Sequence, residues 1–350
     1  MAGRILRVLC CGLVILNLTA CGARSSQSIM DEGMSQFGSG KTEESYHFIN
    51  SGALLDELID KYSGSYYQPT GKSMTDDEHE EAKKGKGSGD TSSDSTDTST
   101  DSGSTVQDDT GRIPEVSDMT GLMRVFHDAY DRTSEYVEFK TTSGFSFDMG
   151  NDLLTIYTAL QREDPIDVSG VGEWSTWNSG NEYYVSISYL FDIDELKSMK
   201  KETTQLVSDA VKELDIAGKN EYEIVCTVND YLCDNVYYPA SEPYEPVTHT
   251  AYGALKNGCA VCEGYACAAK LLLNGCGVEC DIEVGDCYNG GGHAWNLVKV
   301  SDQWYQLDVT WNDGSASRSD YLLVTDDYMR QSRAWEESNY PACTSEAYMT

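Results

Sequence analysis

The 350 residues carry 58 acidic against 25 basic side chains, a formal net charge of −33. That excess excludes phosphate-backbone binding, which needs clustered Lys and Arg, and makes nucleic acid an unsuitable partner. It also opposes adhesion to anionic lipid, and suits a solvated surface protein whose substrates are cationic or neutral.

Residues 1–20 read as a secretory signal: Arg4 and Arg7, then an apolar run over 8–18 that is too short to span a bilayer. The run ends in Leu18-Thr19-Ala20-Cys21-Gly22, which resembles a bacterial lipobox. The resemblance implies cleavage before Cys21 and lipid on the new N-terminal Cys, placing the protein lipid-anchored on the extracellular side of a membrane. An ordinary signal peptide, with Cys21 incidental, is the plainer alternative. Residues 21–71 are polar, with one short amphipathic piece over 53–62 that would be a marginal helix. Residues 72–112 have almost no large apolar side chain and cannot repay the entropy of folding. They read as a flexible acidic linker between lipid and globular part.

Globular sequence starts near 113. Leu122, Val125, Phe126 and Ala129 have helical spacing over 118–132, and 136–140 predicts a strand. A loop-rich stretch holding Gly170, Gly172, Trp174 and Trp177 closes an N-terminal extension, 113–180. From 181 to the end lies the main domain. Tyr183, Val185, Ile187, Tyr189 and Phe191 alternate strictly, a half-buried strand. Two helices follow, over 199–217 and 221–237. Helices first, then strands carrying the polar groups, predict an α+β domain.

The chemistry concentrates in 257–313. Cys262 opens a helix of small residues that runs to about 273 and stops at Asn274-Gly275. A thiol at a helix N-terminus feels the positive end of the dipole, and the free N–H groups there stabilise a thiolate or an oxyanion. Gly264 removes a side chain beside it, leaving room for an acyl group. A buried structural Cys or half a disulfide is the alternative, since Cys259, Cys267 and Cys276 lie close by. His293 follows the turn Asn289-Gly290-Gly291-Gly292. Trp295 shares its side of the strand, either walling a substrate channel or packing the core. Asp308 falls on a strand over 304–310. A two-residue turn at Ser301-Asp302 would put His293 and Asp308 on one face of the sheet. Thiol, imidazole and carboxylate are the parts of a Cys-His-Asp acyl-transfer site. His127 and His249 read as surface or hydrogen-bonded residues.

Of twelve Cys, two leave with the signal, Cys21 takes the lipid, and nine remain. An odd number outside the cytosol suggests one free thiol plus pairs, with the pairing open. A zinc reading of Cys259, Cys262, Cys276, Cys280 and His293 is a third alternative, but leaves the Asp308 strand unexplained.

The segments Ala260-Val261-Cys262-Glu263-Gly264-Tyr265-Ala266, His293-Ala294-Trp295-Asn296, and Trp304-Tyr305 leading to Asp308-Val309-Thr310-Trp311 resemble the transglutaminase-like superfamily. Upstream, Tyr252-Gly253-Ala254-Leu255 and Asn229-Asp230-Tyr231-Leu232 extend the resemblance. It implies a papain-like core, with the Cys-bearing helix packed on an antiparallel sheet. It implies Cys262 as nucleophile, His293 as base and acid, and Asp308 as orienter, with Trp295, Gly264 and Trp311 beside the substrate. No metal or cofactor is implied, and the calcium loop of the animal enzymes has no counterpart. The expected activity is extracellular thiol acyl transfer on a protein or peptide, cell-wall peptide included. Water as acceptor is favoured over a cross-linking amine. A catalytically silent binding module of the same fold is the alternative.

Overall fold

The computed structural model describes residues 70–85, 112–240, 244–288 and 291–349. The signal peptide, Cys21 and the 53–62 piece lie outside the described residues.

Two five-stranded sheets follow one another along the described chain. The first is built from β1 (Thr70–Ser73), β2 (Glu115–Val116), β3 (Tyr136–Thr141), β4 (Val171–Ser179) and β5 (Glu182–Tyr189), in the order β1-β4-β5-β3-β2. Helix α1 (Asp76–Gly85) follows β1. Helices α2 (Met119–Asp131) and α3 (Asn151–Glu163) supply the apolar face that covers this sheet. Leu122 and Phe126 of α2 meet Leu153 and Ile156 of α3 over Phe139, Trp174 and Val185. Asp118 caps α2 by accepting from the Gly121 N–H at 2.8 Å, where the sequence predicts its start.

Three stretches differ from the sequence expectation. Residues 70–85, placed within the flexible segments, form β1 and α1. β1 pairs in parallel with β4, and His79 of α1 stacks on Trp177 with ring centroids 3.7 Å apart. A polar segment is ordered here by a partner about a hundred residues away, which composition does not reveal. The loop-rich stretch before Gly180 contains α3 and β4; Gly172 coincides with a register shift between Val171 and Glu173, which breaks the alternation. The helix expected over 199–217 is α4 (Ile193–Glu213), starting earlier because Asp192 accepts from the Asp194 N–H at 3.0 Å and the Glu195 N–H at 3.4 Å.

Next come α5 (Glu221–Asn235), with a capping box between Asn220 and Glu223, the 3₁₀ turn Pro246–His249, and α6 (Ala251–Asn257). Helix α7 (Cys262–Gly275) then packs on the second sheet. That sheet is wholly antiparallel and contains β6 (Cys280–Cys287), β7 (Gly292–Val300), β8 (Gln303–Leu307), β9 (Leu322–Val324) and β10 (Arg333–Ala334), in the order β10-β6-β7-β8-β9. Short helices α8 (Val309–Gly314) and α9 (Asp326–Met329) lie between the last strands. The core between α5, α7 and the sheet includes Val228, Leu232, Tyr265, Ala268, Leu272, Ile282 and Val298. This is the expected α+β core, a Cys-bearing helix on an antiparallel sheet.

The two sheets are joined by polar contacts. Lys200 of α4 is buried and its Nζ donates to the carbonyls of Tyr130 and Asp167, both at 2.6 Å. Burial lowers its pKa to about 8. Arg162 of α3 reaches Asp281 of β6 through Nε at 3.1 Å and Nη2 at 2.6 Å.

Candidate active site

Cys262 is the first helical residue of α7, and its side of the turn is nearly closed to solvent (2 % exposed). No side chain caps the helix start; Val261 precedes it with extended backbone, and the Val261 N–H donates to the Thr248 carbonyl at 3.0 Å. The uncapped first-turn N–H groups are the donors a developing oxyanion would need. Asn296 fixes the helix against β7 by donating through Nδ2 to the Ala266 carbonyl at 3.0 Å. Ala266 is one turn along α7 from Cys262, and Asn296 is three residues along β7 from His293. The start of the helix is thereby set against the start of the strand.

The β7–β8 connection is the expected two-residue turn. Val300 pairs with Gln303, and Ser301 and Asp302 both take left-handed φ, 51° and 61°. That register brings His293 and Asp308 together: His293 Nε2 donates to Asp308 Oδ2 at 2.7 Å, with both residues fully buried. The strand stops at Leu307, however, and Asp308 is the N-cap of α8 rather than a strand residue. Its Oδ1 accepts from the Trp311 N–H at 3.0 Å, which locks the carboxylate plane.

Sequence reasoning missed Arg333. Fully buried on β10, it donates through Nη1 to the same Asp308 Oδ2 at 2.5 Å. Its guanidinium lies 3.9 Å from the centroid of the Trp311 ring, 4.9 Å from Trp295 and 5.4 Å from Tyr321. Aromatic faces around a desolvated cation compensate part of its lost hydration. Burial by itself would raise the Asp308 pKa. The charges of His293 and Arg333 and their hydrogen bonds outweigh it and bring the carboxyl down to about 2.

The three residues read as lying beside the substrate are all packed into the fold. Trp295 is 1 % exposed and spends its Nε1–H on Gln306 Oε1 at 2.6 Å, so it packs the core and stacks on His293 at 5.7 Å between centroids. Trp311 tilts against His293 at 5.5 Å and carries Arg333 on its face. Both wall the His–Asp–Arg cluster. The space of the missing Gly264 side chain is filled by backbone: a Cβ there would sit 2.4 Å from the Thr248 carbonyl oxygen and 3.0 Å from that of Thr250. Its missing side chain lets 248–250 lie against the helix. Gly264→Ala is accordingly expected to cost about 1–3 kcal/mol by overpacking, read as a lower midpoint in thermal unfolding.

The nine Cys from Cys226 onward are all free thiols. Among the described residues, no group of three or more His, Cys, Asp or Glu side chains is placed to hold a metal ion. Asn289 and Gly290 of the turn before His293 lie outside the described residues. His127 stands 3.6 Å from both Asp128 and Asp167, and His249 is hydrogen-bonded to Glu263.

A helix-borne thiol packed on an antiparallel sheet that carries a buried His–carboxylate pair is a papain-like layout. Residues 209–309 match the family model of the Transglutaminase-like superfamily, which spans α7, His293 and Asp308. Residues 209–309 of this chain thus carry a transglutaminase-like domain. Among curated proteins it is similar to the kyphoscoliosis peptidase of Mus musculus, 24% identical over 130 residues. That match covers 33% of this chain and only 19% of the mouse protein. Among solved structures it is similar to a TGase at 14% identity, with a TM-score of 0.29 over 50% of this chain and 51% of the other. A structure described as a candidate cysteine protease from Cytophaga hutchinsonii is also 14% identical. It covers 46% of this chain and 64% of its own, with a TM-score of 0.29.

Proposed function

We propose that this protein is a thiol acyl-transfer enzyme acting on peptide or carboxamide groups, with Cys262 as nucleophile, His293 as acid and base, and Asp308 as orienter. The observation that carries the reading is the buried 2.7 Å hydrogen bond between His293 and Asp308. It commits Nε2 of the ring to the carboxylate, and the proton exchange with the thiol is assigned to Nδ1. The Cys262 thiol gives its proton to Nδ1, and the sulfur attacks the carbonyl carbon. As the C–N bond breaks, the imidazolium returns that proton to the departing amine or ammonia, leaving a thioester. An acceptor then loses a proton to His293, attacks the thioester and restores the thiol. Asp308, held ionised, balances the charge on the ring during both steps.

Water is the favoured acceptor, which makes the activity a peptidase or amidase on proteins or wall peptides. The test is incubation of the full chain with an unfolded protein substrate and a labelled primary amine. Fragments bearing new carboxyl ends, or free ammonia from side-chain carboxamides without label, are expected, whereas label incorporated without fragmentation would overturn the hydrolytic reading in favour of cross-linking. The near-complete burial of Cys262 supports a second reading, a silent binding module of the same fold. It predicts no fragments, no ammonia and no incorporated label. The address belongs to the proposal too. A lipid on Cys21 would hold the domain outside the membrane, and Cys21→Ser should then move it from the membrane fraction to the soluble one.

A further inference from the structure

Glu263, the residue after the candidate nucleophile, has a carboxylate that is 4 % exposed and is engaged from two sides. Gln161 of α3, itself buried, donates through Nε2 to Oε1 at 2.8 Å. His249, closing the 3₁₀ turn, hydrogen-bonds Oε2 through Nδ1 at 3.0 Å. That turn also supplies the Thr248 carbonyl that accepts from Val261, the residue before Cys262. The carboxylate therefore ties the first turn of α7 to the 246–249 turn and to the N-terminal sheet unit at once. A second contact from the same helix, Arg162 on Asp281 with its guanidinium 4.8 Å from the Tyr340 ring centroid, holds α3 against the edge of the second sheet.

We infer that Glu263 is a positioning residue for Cys262, and that through Gln161 the N-terminal unit is part of the apparatus that holds the thiol in place. A buried carboxylate costs too much to be kept there unless its hydrogen bonds are made, so these bonds fix the turn. The inference rests on the proposed activity of Cys262. It goes beyond that reading in making catalytic competence depend on Gln161 of α3, 101 positions from the nucleophile.

The experiment measures the rate of iodoacetamide alkylation at Cys262 against pH in the full chain, by peptide mass spectrometry. Wild type, Glu263→Ala, Glu263→Gln and Gln161→Ala are compared. Two mechanisms predict opposite signs. Removing a negative charge beside the sulfur would move the alkylation midpoint to lower pH. Loss of positioning would break the thiol–imidazole pairing and move it up toward an ordinary thiol, near pH 8.5. The inference expects the upward move in Glu263→Ala, with about tenfold slower alkylation at neutral pH. Glu263→Gln, which can still accept from one partner and donate to the other, should recover most of the rate. Should Glu263→Ala fail to fold, Gln161→Ala carries the test, with a smaller shift of the same sign. An unchanged or lowered midpoint in a folded variant, with Cys262 activated in wild type, overturns this inference alone. A wild-type Cys262 no more reactive than the other thiols overturns the enzyme reading and this inference with it.

Discussion

Asp308→Asn should reduce turnover by on the order of 10³–10⁴, with a much smaller effect on KM. The amide can keep the shape of the side chain and the N-cap bond to Trp311, but not the charge. A neutral carboxamide at this position holds the wrong tautomer of His293 as readily as the right one, and cannot balance the imidazolium. The same change leaves Arg333 buried without a counter-ion. Breaking a buried pair from one side costs about 3–5 kcal/mol, so unfolding should be easier at neutral pH as well. The acid limb supplies a second signature. Asp308 has a folded pKa of about 2, below its unfolded value of about 3.9. Its contribution to stability is therefore fully present above pH 4 and is lost as the pH falls from about 4 to about 2. Thermal unfolding midpoints across that window should fall more steeply in wild type than in Asp308→Asn. Parallel curves would mean that the carboxylate is not held by its two cations.

The second large effect is expected at Arg333. Arg333→Met keeps the stem and the apolar contacts with Trp295, Trp311 and Tyr321 but removes the charge. Asp308 then keeps His293 and the Trp311 N–H as partners, and the expected loss of stability is about 3 kcal/mol. Turnover should fall as well, by up to ~100-fold, because Arg333 and His293 converge on the same oxygen and the carboxylate would lose its second anchor. Arg333→Lys should rescue little, since an ammonium cannot lie flat on three rings while reaching Oδ2. Chemical denaturation and steady-state kinetics on the same preparations read both effects. A variant of wild-type stability and turnover would show that the aromatic cage, rather than the ion pair, holds this end of the sheet.

The parts of the site that local pattern specifies were legible in the sequence. A small-residue helix announces Cys262, and the two-residue turn at Ser301-Asp302 sets the parity that puts His293 and Asp308 on one face. The change from strand to helix at Asp308 is written locally as well, because an Asp three residues before a free N–H is an N-cap. Leu153, Ile156, Tyr157 and Leu160 have the spacing of a buried helical face, so α3 was open to the same reasoning that found α2. Arg333 was not. It meets Asp308 across 25 positions, and an isolated Arg in a polar C-terminal stretch has nothing local to distinguish it. Gly264 shows the opposite error. Its position beside the thiol suggested space for substrate, yet the space is filled by the Thr248 and Thr250 carbonyls, which belong to another segment. α1 has the composition of a spacer and is ordered through His79 on Trp177, a contact that emerges only when the two segments meet.

An acyl-transfer site of this kind requires Cys262 to be an activated thiol served by His293. The most direct measurement is the iodoacetamide alkylation of the full chain near neutral pH, resolved for all nine described thiols, in wild type and His293→Ala. Fast modification is expected at Cys262 alone, slowed to the rate of an ordinary thiol when His293 is removed. If Cys262 reacts no faster than the other cysteines, or reacts equally fast without His293, the acyl-transfer account is contradicted and the silent binding module takes its place.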